Sequence, residues 1–131
     1  MHAPVTTLDP PFLPPIECVL ELPSPPSINT TRRCNGAGAR KLGRWKDQAG
    51  ARVMAAGGVR HFPKMPAMFE AILILDENTC RLDLDNAAKH CIDFARSIGV
   101  IVNDDKRYMR RVTIEWGDVP NGCRLILRSI A

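Results

Sequence analysis

Several carboxylates and one lysine lie close together near the middle of the chain. The segment 81–89 reads RLDLDNAAK and carries Asp83, Asp85 and Lys89, and Asp93 follows four residues later. Because carboxylates repel one another, a folded chain gathers them mainly where a cation or a proton compensates. Two carboxylates that converge with bound water suit an octahedral Mg²⁺ ion. The segment therefore predicts a metal centre around Asp83 and Asp85.

A second acidic pair, Asp104 and Asp105, follows Asn103 shortly after this segment. Taken alone, Asn-Asp-Asp is typical of a turn. However, the strand that leaves the preceding helix must pack beside that helix, which would return this loop towards the first two aspartates. We therefore expect one of the pair to join the centre.

Each of these side chains also has a purely structural interpretation. Asp83 or Asp85 is a suitable N-cap for a helix over 84–98. Lys89 lies one helical turn after Asp85 and can form an i, i+4 ion pair, worth about 0.2–0.5 kcal/mol. The catalytic interpretation places the Lys89 ammonium beside a reacting phosphate, where it stabilises developing charge. Asn86 is either a first-turn polar residue or a group that positions phosphate or water, and Asp93 favours the salt-bridged helix face.

The charge of the chain is unevenly distributed around this acidic segment. The net charge is +4, yet residues 32–64 contain nine basic residues against Asp47 alone. A solvated surface usually mixes both signs, so this block predicts a surface for a polyanion, most commonly nucleic acid. The predicted DNA-binding residues are Arg32, Arg33, Arg40, Lys41, Arg44 and Lys46 from this block, together with Arg81.

Hydrophobic patterning predicts an α+β domain with a mixed β-sheet and two main helices, in the order β-α-β-α-β-β. The strands are predicted at 16–22, 68–75 (buried on both faces), 107–116 (one face wet) and 123–130. The helices are predicted at 43–56, ended by Gly57 and Gly58, and at 84–98, ended by Gly99. The polar, basic and glycine-containing stretch 30–42 is predicted to be a loop.

Length and composition limit the class of protein. The 131 residues form one domain, which we place at 16–131 after a proline-rich flexible tail at 1–15. The sequence predicts neither a membrane span nor a signal peptide. Five widely spaced cysteines argue against a disulfide framework or a structural zinc site. We expect a cytoplasmic protein whose cysteines are reduced and mostly buried.

The motif around the acidic segment resembles the RusA family of Holliday junction resolvases. The resemblance rests on the D-x-D-N-x-x-K element at 83–89, on Asp93 and on the following Asp-Asp pair. The segment PSPPSIN at 23–29, after the first predicted strand, is also similar to the N-terminal signature of that family, and it ends at Asn29. The likeness extends over roughly residues 16–128.

This resemblance implies a homodimeric endonuclease that nicks four-way DNA junctions symmetrically in recombination and repair. It implies a Mg²⁺ cofactor, for which Mn²⁺ can substitute, and no small-molecule cofactor. The essential carboxylates would be Asp83, Asp85 and Asp104, with Asp105 as the alternative, and the catalytic lysine would be Lys89. Asn29, Asn86 and Asp93 would support them. Such proteins are bacterial or encoded by phages and prophages.

Three alternatives remain open from the sequence. The first is a nuclease for flaps or other branched DNA, and the second is a non-catalytic, structure-selective DNA-binding protein whose acidic segment only begins a helix. The third is a regulatory protein that binds an acidic partner through the basic block. A requirement for Mg²⁺ and for Asp83 or Asp85 would separate the enzymes from the binding proteins.

Overall fold

A computed structural model describes residues 14–27, 36–66, 68–120 and 122–130, and within them a mixed four-stranded sheet packs with two helices. The α+β class is therefore confirmed. Most of the tail at 1–15 lies outside these residues, as do Asn29, Arg32 and Arg33. Along the chain, the main elements are β1 (Glu17–Leu22), α1 (Gly36–Ala55), β2 (Phe69–Asp76), α2 (Ala88–Ser97), β3 (Met109–Gly117) and β4 (Cys123–Ser129).

The strands lie in the order β1-β4-β2-β3. β4 pairs antiparallel with β1 and with β2, whereas β2 and β3 run parallel. Parallel neighbours need a crossover connection, and the segment that contains α2 supplies it. As a consequence, the acidic segment 81–89 lies on the connection between the two parallel strands.

One face of the sheet carries the hydrophobic core. Alternate residues of β1, β2 and β4 are almost completely buried there, among them Leu20, Leu73 and Leu125. Trp45, Ala49 and Val53 of α1 and Cys91, Phe94 and Ala95 of α2 belong to the same cluster. Both helices therefore pack on this face. Neither described helix is long and apolar enough to cross a membrane.

Helix α1 begins earlier than the sequence predicts. Residues 36–42, predicted to be a loop, are helical, and the helix runs from Gly36 to Ala55. Gly36 and Gly38 lower the intrinsic helix propensity of residues 36–42, which are otherwise mainly small or basic, and this is why the sequence alone favoured a loop. The buried side chains of Trp45, Ala49 and Val53 outweigh this penalty by packing in the core. Gly57 and Gly58, both at positive φ, follow the helix as predicted.

The predicted helix 84–98 is divided in two. A short 3-10 turn covers Leu84–Asn86, and α2 spans Ala88–Ser97 before Gly99 at φ 85°. Two predictions about the strands are also wrong. β2 is fully buried on only one face, with half-buried residues on the other. The predicted dry face of β3 is largely exposed, with Val112 and Trp116 each 40% exposed, although Ile114 packs against the core.

The four described cysteines, Cys18, Cys80, Cys91 and Cys123, are buried free thiols, as predicted. Burial raises the pKa of the Cys18 thiol to about 11, since an apolar environment disfavours the thiolate. The pKa of Cys91 is also raised, first by its contact with Cys123, whose sulfur lies 4.0 Å away, and then by burial. The Cys18 and Cys91 thiols are therefore protonated at neutral pH.

Candidate functional site

A rigid turn at the end of β2 sets the direction of the acidic segment. The Asp76 carboxylate accepts a hydrogen bond of 2.6 Å from the Thr79 hydroxyl, and weaker ones of 3.4 Å from the backbone and side-chain amides of Asn78. The backbone N–H of Cys80 donates to the Asp76 carbonyl at 2.9 Å. The hydrogen bond from the Thr79 side chain contributes most to lowering the pKa of the Asp76 carboxyl, and the bonds from Asn78 add to it. The chain therefore leaves β2 along a fixed path into 81–85.

Asp83 and Asp85 have exposed side chains that are not used as helix caps. Asp83 has an extended backbone and precedes the 3-10 turn without a side-chain capping bond, and Asp85 lies within that turn. The N-cap of α2 is Ala87, which has no polar side chain to offer. Within the described ranges, neither carboxylate has an ion-pair or hydrogen-bond partner. The capping interpretation is therefore wrong, and both carboxylates are available to a ligand.

Lys89 forms an ion pair with Asp93. Its ammonium lies 3.2 Å from the Asp93 carboxylate, and the Lys89 side chain is 51% exposed. Asp85 is not its partner, because the α-helix begins only at Ala88. An exposed i, i+4 pair contributes about 0.2–0.5 kcal/mol, so a phosphate group could displace Asp93 at little cost. The half-buried Asn86 lies in the turn between Asp85 and the helix.

The two later aspartates have different partners. The Asp104 carboxylate lies 3.6 Å from the guanidinium of Arg96, near the end of α2, and Arg96 also lies 3.8 Å from Asp93. The Asp105 carboxylate lies 2.8 Å from the guanidinium of Arg107. Hydrogen bonds from the Arg107 side chain, and then from its backbone N–H, lower the pKa of Asp105. Asp105 is therefore neutralised by its own neighbour, whereas Asp104 is tied to the helix that begins beside the first two aspartates.

The structure does not bring the three predicted metal ligands into one group. Among residues 14–27, 36–66, 68–120 and 122–130, no three or more His, Cys, Asp or Glu side chains are arranged to hold a metal ion. Instead, alternating charges run along α2 from Lys89 through Asp93 and Arg96 to Asp104. Asp83 and Asp85, on either side of Leu84, come before this series of charges in the chain, and Asp104 lies at its far end.

A groove of about 520 Å³ lies next to the acidic segment. Three cationic side chains line it, Lys41 and Arg44 from α1 and Arg81 from the loop after β2. Arg40 and Lys46 are exposed on α1 but do not line the groove. The remaining lining residues are mainly polar or proline: Ser24, Pro25, Pro26, Ser27, Trp45, Gln48, Thr79, Cys80 and Leu82. We call this groove, with all of its lining residues, the basic groove.

Trp45 fixes one wall of the basic groove, a role that the sequence analysis missed. Its indole N–H donates to the carbonyl of Pro23 at 2.8 Å, and its ring meets Phe94 edge-on at 5.8 Å. These contacts hold α1 against α2 and against residues 23–27, which we call the proline segment. A tryptophan within a basic helix was the available signal, because a buried indole usually needs a hydrogen-bond acceptor.

Comparisons with known proteins leave the family open. No protein-family model matches the chain, and no curated protein matches it.

Proposed function

We propose that this chain is a Mg²⁺-dependent endonuclease that cuts branched DNA, with the four-way junction as its substrate. One observation carries the proposal: two exposed carboxylates, with no partner among the residues that the structure describes, follow directly along the chain after a groove lined by three cations. Cations along a groove bind the phosphate backbone without reading bases, and carboxylates at its end suit a metal-assisted reaction. The resemblance of 83–89 to the resolvase motif supports the same assignment.

The residues present fit a magnesium ion held by few protein ligands. Asp83 and Asp85 would hold it, since Mg²⁺ commonly takes one or two carboxylates and keeps several waters. Asp104 would not join them in this arrangement, because its carboxylate is paired with Arg96 at the other end of α2. The ion would polarise a phosphate and activate a water molecule. The chain itself orients the phosphate through Lys41, Arg44 and Arg81, and the Lys89 ammonium would offset charge on the leaving oxygen.

A non-catalytic DNA-binding protein is the second candidate, and a specific observation favours it. Lys89 and Asp104 are both occupied by ion pairs along α2, and the three carboxylates do not meet in the described residues. In that case, the basic groove would bind the backbone and the acidic segment would be inert. Binding would then be insensitive to Mg²⁺.

A direct test compares a labelled four-way junction with a linear duplex of equal length, each with Mg²⁺ or EDTA. The proposal expects paired nicks in the junction alone, which EDTA abolishes. Junction binding without cleavage in either condition would overturn it in favour of the binding protein. Equal cleavage of flaps and junctions would retain the enzyme but broaden the substrate to branched DNA in general.

The basic groove makes a quantitative prediction about binding. We expect Lys41→Gln to weaken junction affinity severalfold and to reduce the slope of log affinity against log salt by about 1, because one phosphate contact is lost. Lys46→Gln removes the same charge from the same helix outside the groove, so it should have a smaller effect. Fluorescence anisotropy with a labelled junction, measured over a range of salt concentrations, tests this. Equal losses in both variants would show that only net charge matters.

The proposed function also includes a homodimer, for which the face of the sheet opposite the core is suited. Its side chains form three rows across the four strands, in the order β1, β4, β2, β3, and its apolar residues do not belong to the core cluster. The rows are Glu17-Arg128-Glu70-Arg111, Val19-Ile126-Ile72-Thr113 and Glu21-Arg124-Ile74-Glu115.

These rows are self-complementary in one orientation. If two copies stack face to face about a two-fold axis parallel to the strands, β1 faces β3 and β4 faces β2 of the other copy. Glu17 then faces Arg111, Arg128 faces Glu70 and Ile126 faces Ile72, although Glu21 faces Glu115. An axis across the strands would instead place Arg128 over Arg124 and Glu17 over Glu21. Opposed like charges destabilise an interface, so we propose the first arrangement.

A charge reversal tests this surface. We expect Arg128→Glu to convert the dimer to a monomer, because it replaces two inter-subunit attractions with repulsions. Arg107→Glu reverses an exposed arginine that is also ion-paired, with Asp105, but away from this face, and should leave the mass unchanged. Light scattering coupled to size exclusion measures the mass. A dimer that survives Arg128→Glu would place the interface elsewhere.

A further inference from the structure

A second cleft, of about 410 Å³, lies beside the basic groove at the end of the sheet. It is lined by Glu77, Cys80, Arg81, Leu82 and Trp116. Cys80, Arg81 and Leu82 also line the basic groove, so the two depressions share the segment that leads into Asp83. A strand bound in the groove would therefore pass the mouth of this cleft immediately before the acidic segment.

Trp116 is unusually exposed for a tryptophan. It lies near the end of the edge strand β3, and its side chain is on the same face as the core residue Leu75, with which it pairs. It is nevertheless 40% exposed, because the helices leave this edge of the sheet uncovered. In the part of the chain that the structure describes, its ring has no aromatic partner and its indole N–H has no acceptor. An aromatic plane is thus open to a ligand in the cleft.

Glu77 contributes the acidic group of the cleft, and its position is fixed. Its backbone N–H donates to the carbonyl of Gly117 at 2.9 Å, which ties the turn after β2 to the residue that follows Trp116. Its side chain is exposed and has no ion-pair partner within the described ranges. The cleft therefore combines an aromatic ring, a hydrogen-bond acceptor and, from Arg81, a guanidinium shared with the basic groove.

We propose that this cleft binds an unpaired nucleobase of the DNA strand that lies in the basic groove. This inference rests on the proposed function and adds a specificity element to it. The base would stack on Trp116, an interaction that is tolerant of sequence and typical of single-stranded binding. Arg81 would bind the adjacent phosphate.

The Glu77 carboxylate adds a preference among bases. It can accept a hydrogen bond from an exocyclic amino group, which adenine and cytosine present and thymine lacks. Thymine has a carbonyl oxygen at the position of that amino group, where two acceptors would repel each other, so it can offer the carboxylate only its single ring N3–H. The cleft should therefore favour amino-bearing bases over thymine. An unpaired base is available at a branch point but not within a continuous duplex, so the cleft would also favour branched DNA.

The two tryptophans of the chain make this testable without catalysis. Trp45 is only 4% exposed and is hydrogen-bonded, whereas Trp116 is 40% exposed. Stacking of a base on Trp116 should therefore quench the exposed component of the fluorescence. The full-length protein is titrated in EDTA with oligo-dA and oligo-dT of equal length, and labelled oligonucleotides give the affinities by anisotropy.

We expect quenching by oligo-dA that disappears in Trp116→Leu, together with a loss of affinity of roughly 5- to 100-fold. Trp116→Phe keeps an aromatic ring and should retain most of the affinity. Glu77→Gln should reduce the preference for oligo-dA over oligo-dT. Lys41→Gln should weaken both oligonucleotides equally and leave that preference intact. A thermal melt of each variant confirms that it is folded.

The proposal is overturned if Trp116→Leu and wild type bind both oligonucleotides equally, or if neither oligonucleotide quenches the fluorescence. This outcome is distinct from failure of the proposed function. Quenching without cleavage of any junction would retain the base-binding cleft in a binding protein. Junction cleavage without quenching would retain the nuclease and remove the cleft from its substrate contacts.

Discussion

Asp85→Asn is expected to lower Mg²⁺-dependent junction cleavage by at least about 100-fold while junction binding persists. Groups that merely orient a metal ligand contribute about 10–100-fold, and Asp85 would be a ligand itself. Its side chain supports no other feature, since it neither caps a helix nor forms an ion pair within the described ranges. The substitution should therefore remove the chemistry without altering the fold.

The matched control for this prediction is Asp118→Asn. Asp118 is an exposed aspartate in the turn between β3 and β4, outside the basic groove. Both variants remove one negative charge and so raise affinity for DNA slightly by the same electrostatic effect. Single-turnover cleavage and anisotropy on the same junction measure the two quantities separately. Equal cleavage by both variants would exclude Asp85 from the active centre.

That Asp83 and Asp85 lie near the start of a helix could be predicted from the sequence, but their local role could not. Capping depends on where the helix begins, and the chain forms a 3-10 turn at Leu84–Asn86 before α2 begins at Ala88. This late start leaves both carboxylates without a capping bond. For the same reason, Lys89 pairs with Asp93 within the helix and not with Asp85. A shift of the helix start by a few residues thus decides three side-chain roles.

Side-chain partners that are distant in the sequence cannot be predicted from such local patterns. The pairing of Asp104 with Arg96 depends on how the loop after α2 folds back, which residue types alone do not specify. The exposure of Trp116 has a similar origin. Its alternation with charged residues correctly predicts a strand, but only the strand order β1-β4-β2-β3 shows that this strand lies at an edge. The cleft beside Trp116 was therefore not predictable from the sequence.

Gly122→Ala is expected to destabilise the protein by about 3 kcal/mol, combining the cost of a left-handed backbone with that of overpacking. Gly122 has a φ of 113°, and a Cβ atom there would collide with the backbone N of Ser24 and lie 2.9 Å from the carbonyl carbon of Pro23. These are backbone atoms, which cannot rotate away. The Gly122 carbonyl also accepts a hydrogen bond from Asp76 N–H at 3.0 Å, so the turn cannot shift freely.

The control for Gly122 is Gly99→Ala, which separates the two costs. Gly99 also has a positive φ, of 85°, but no atom lies within 4 Å of its Cβ position. Gly99→Ala should therefore lower the free energy of unfolding only by the conformational cost, about 1–2 kcal/mol. Equilibrium unfolding in urea gives both values, and equal losses would show that the proline segment yields without cost. If the segment is held as rigidly as the hydrogen bond from Trp45 to Pro23 indicates, Gly122→Ala should also displace Ser24 from the basic groove and weaken junction binding, whereas Gly99→Ala should not.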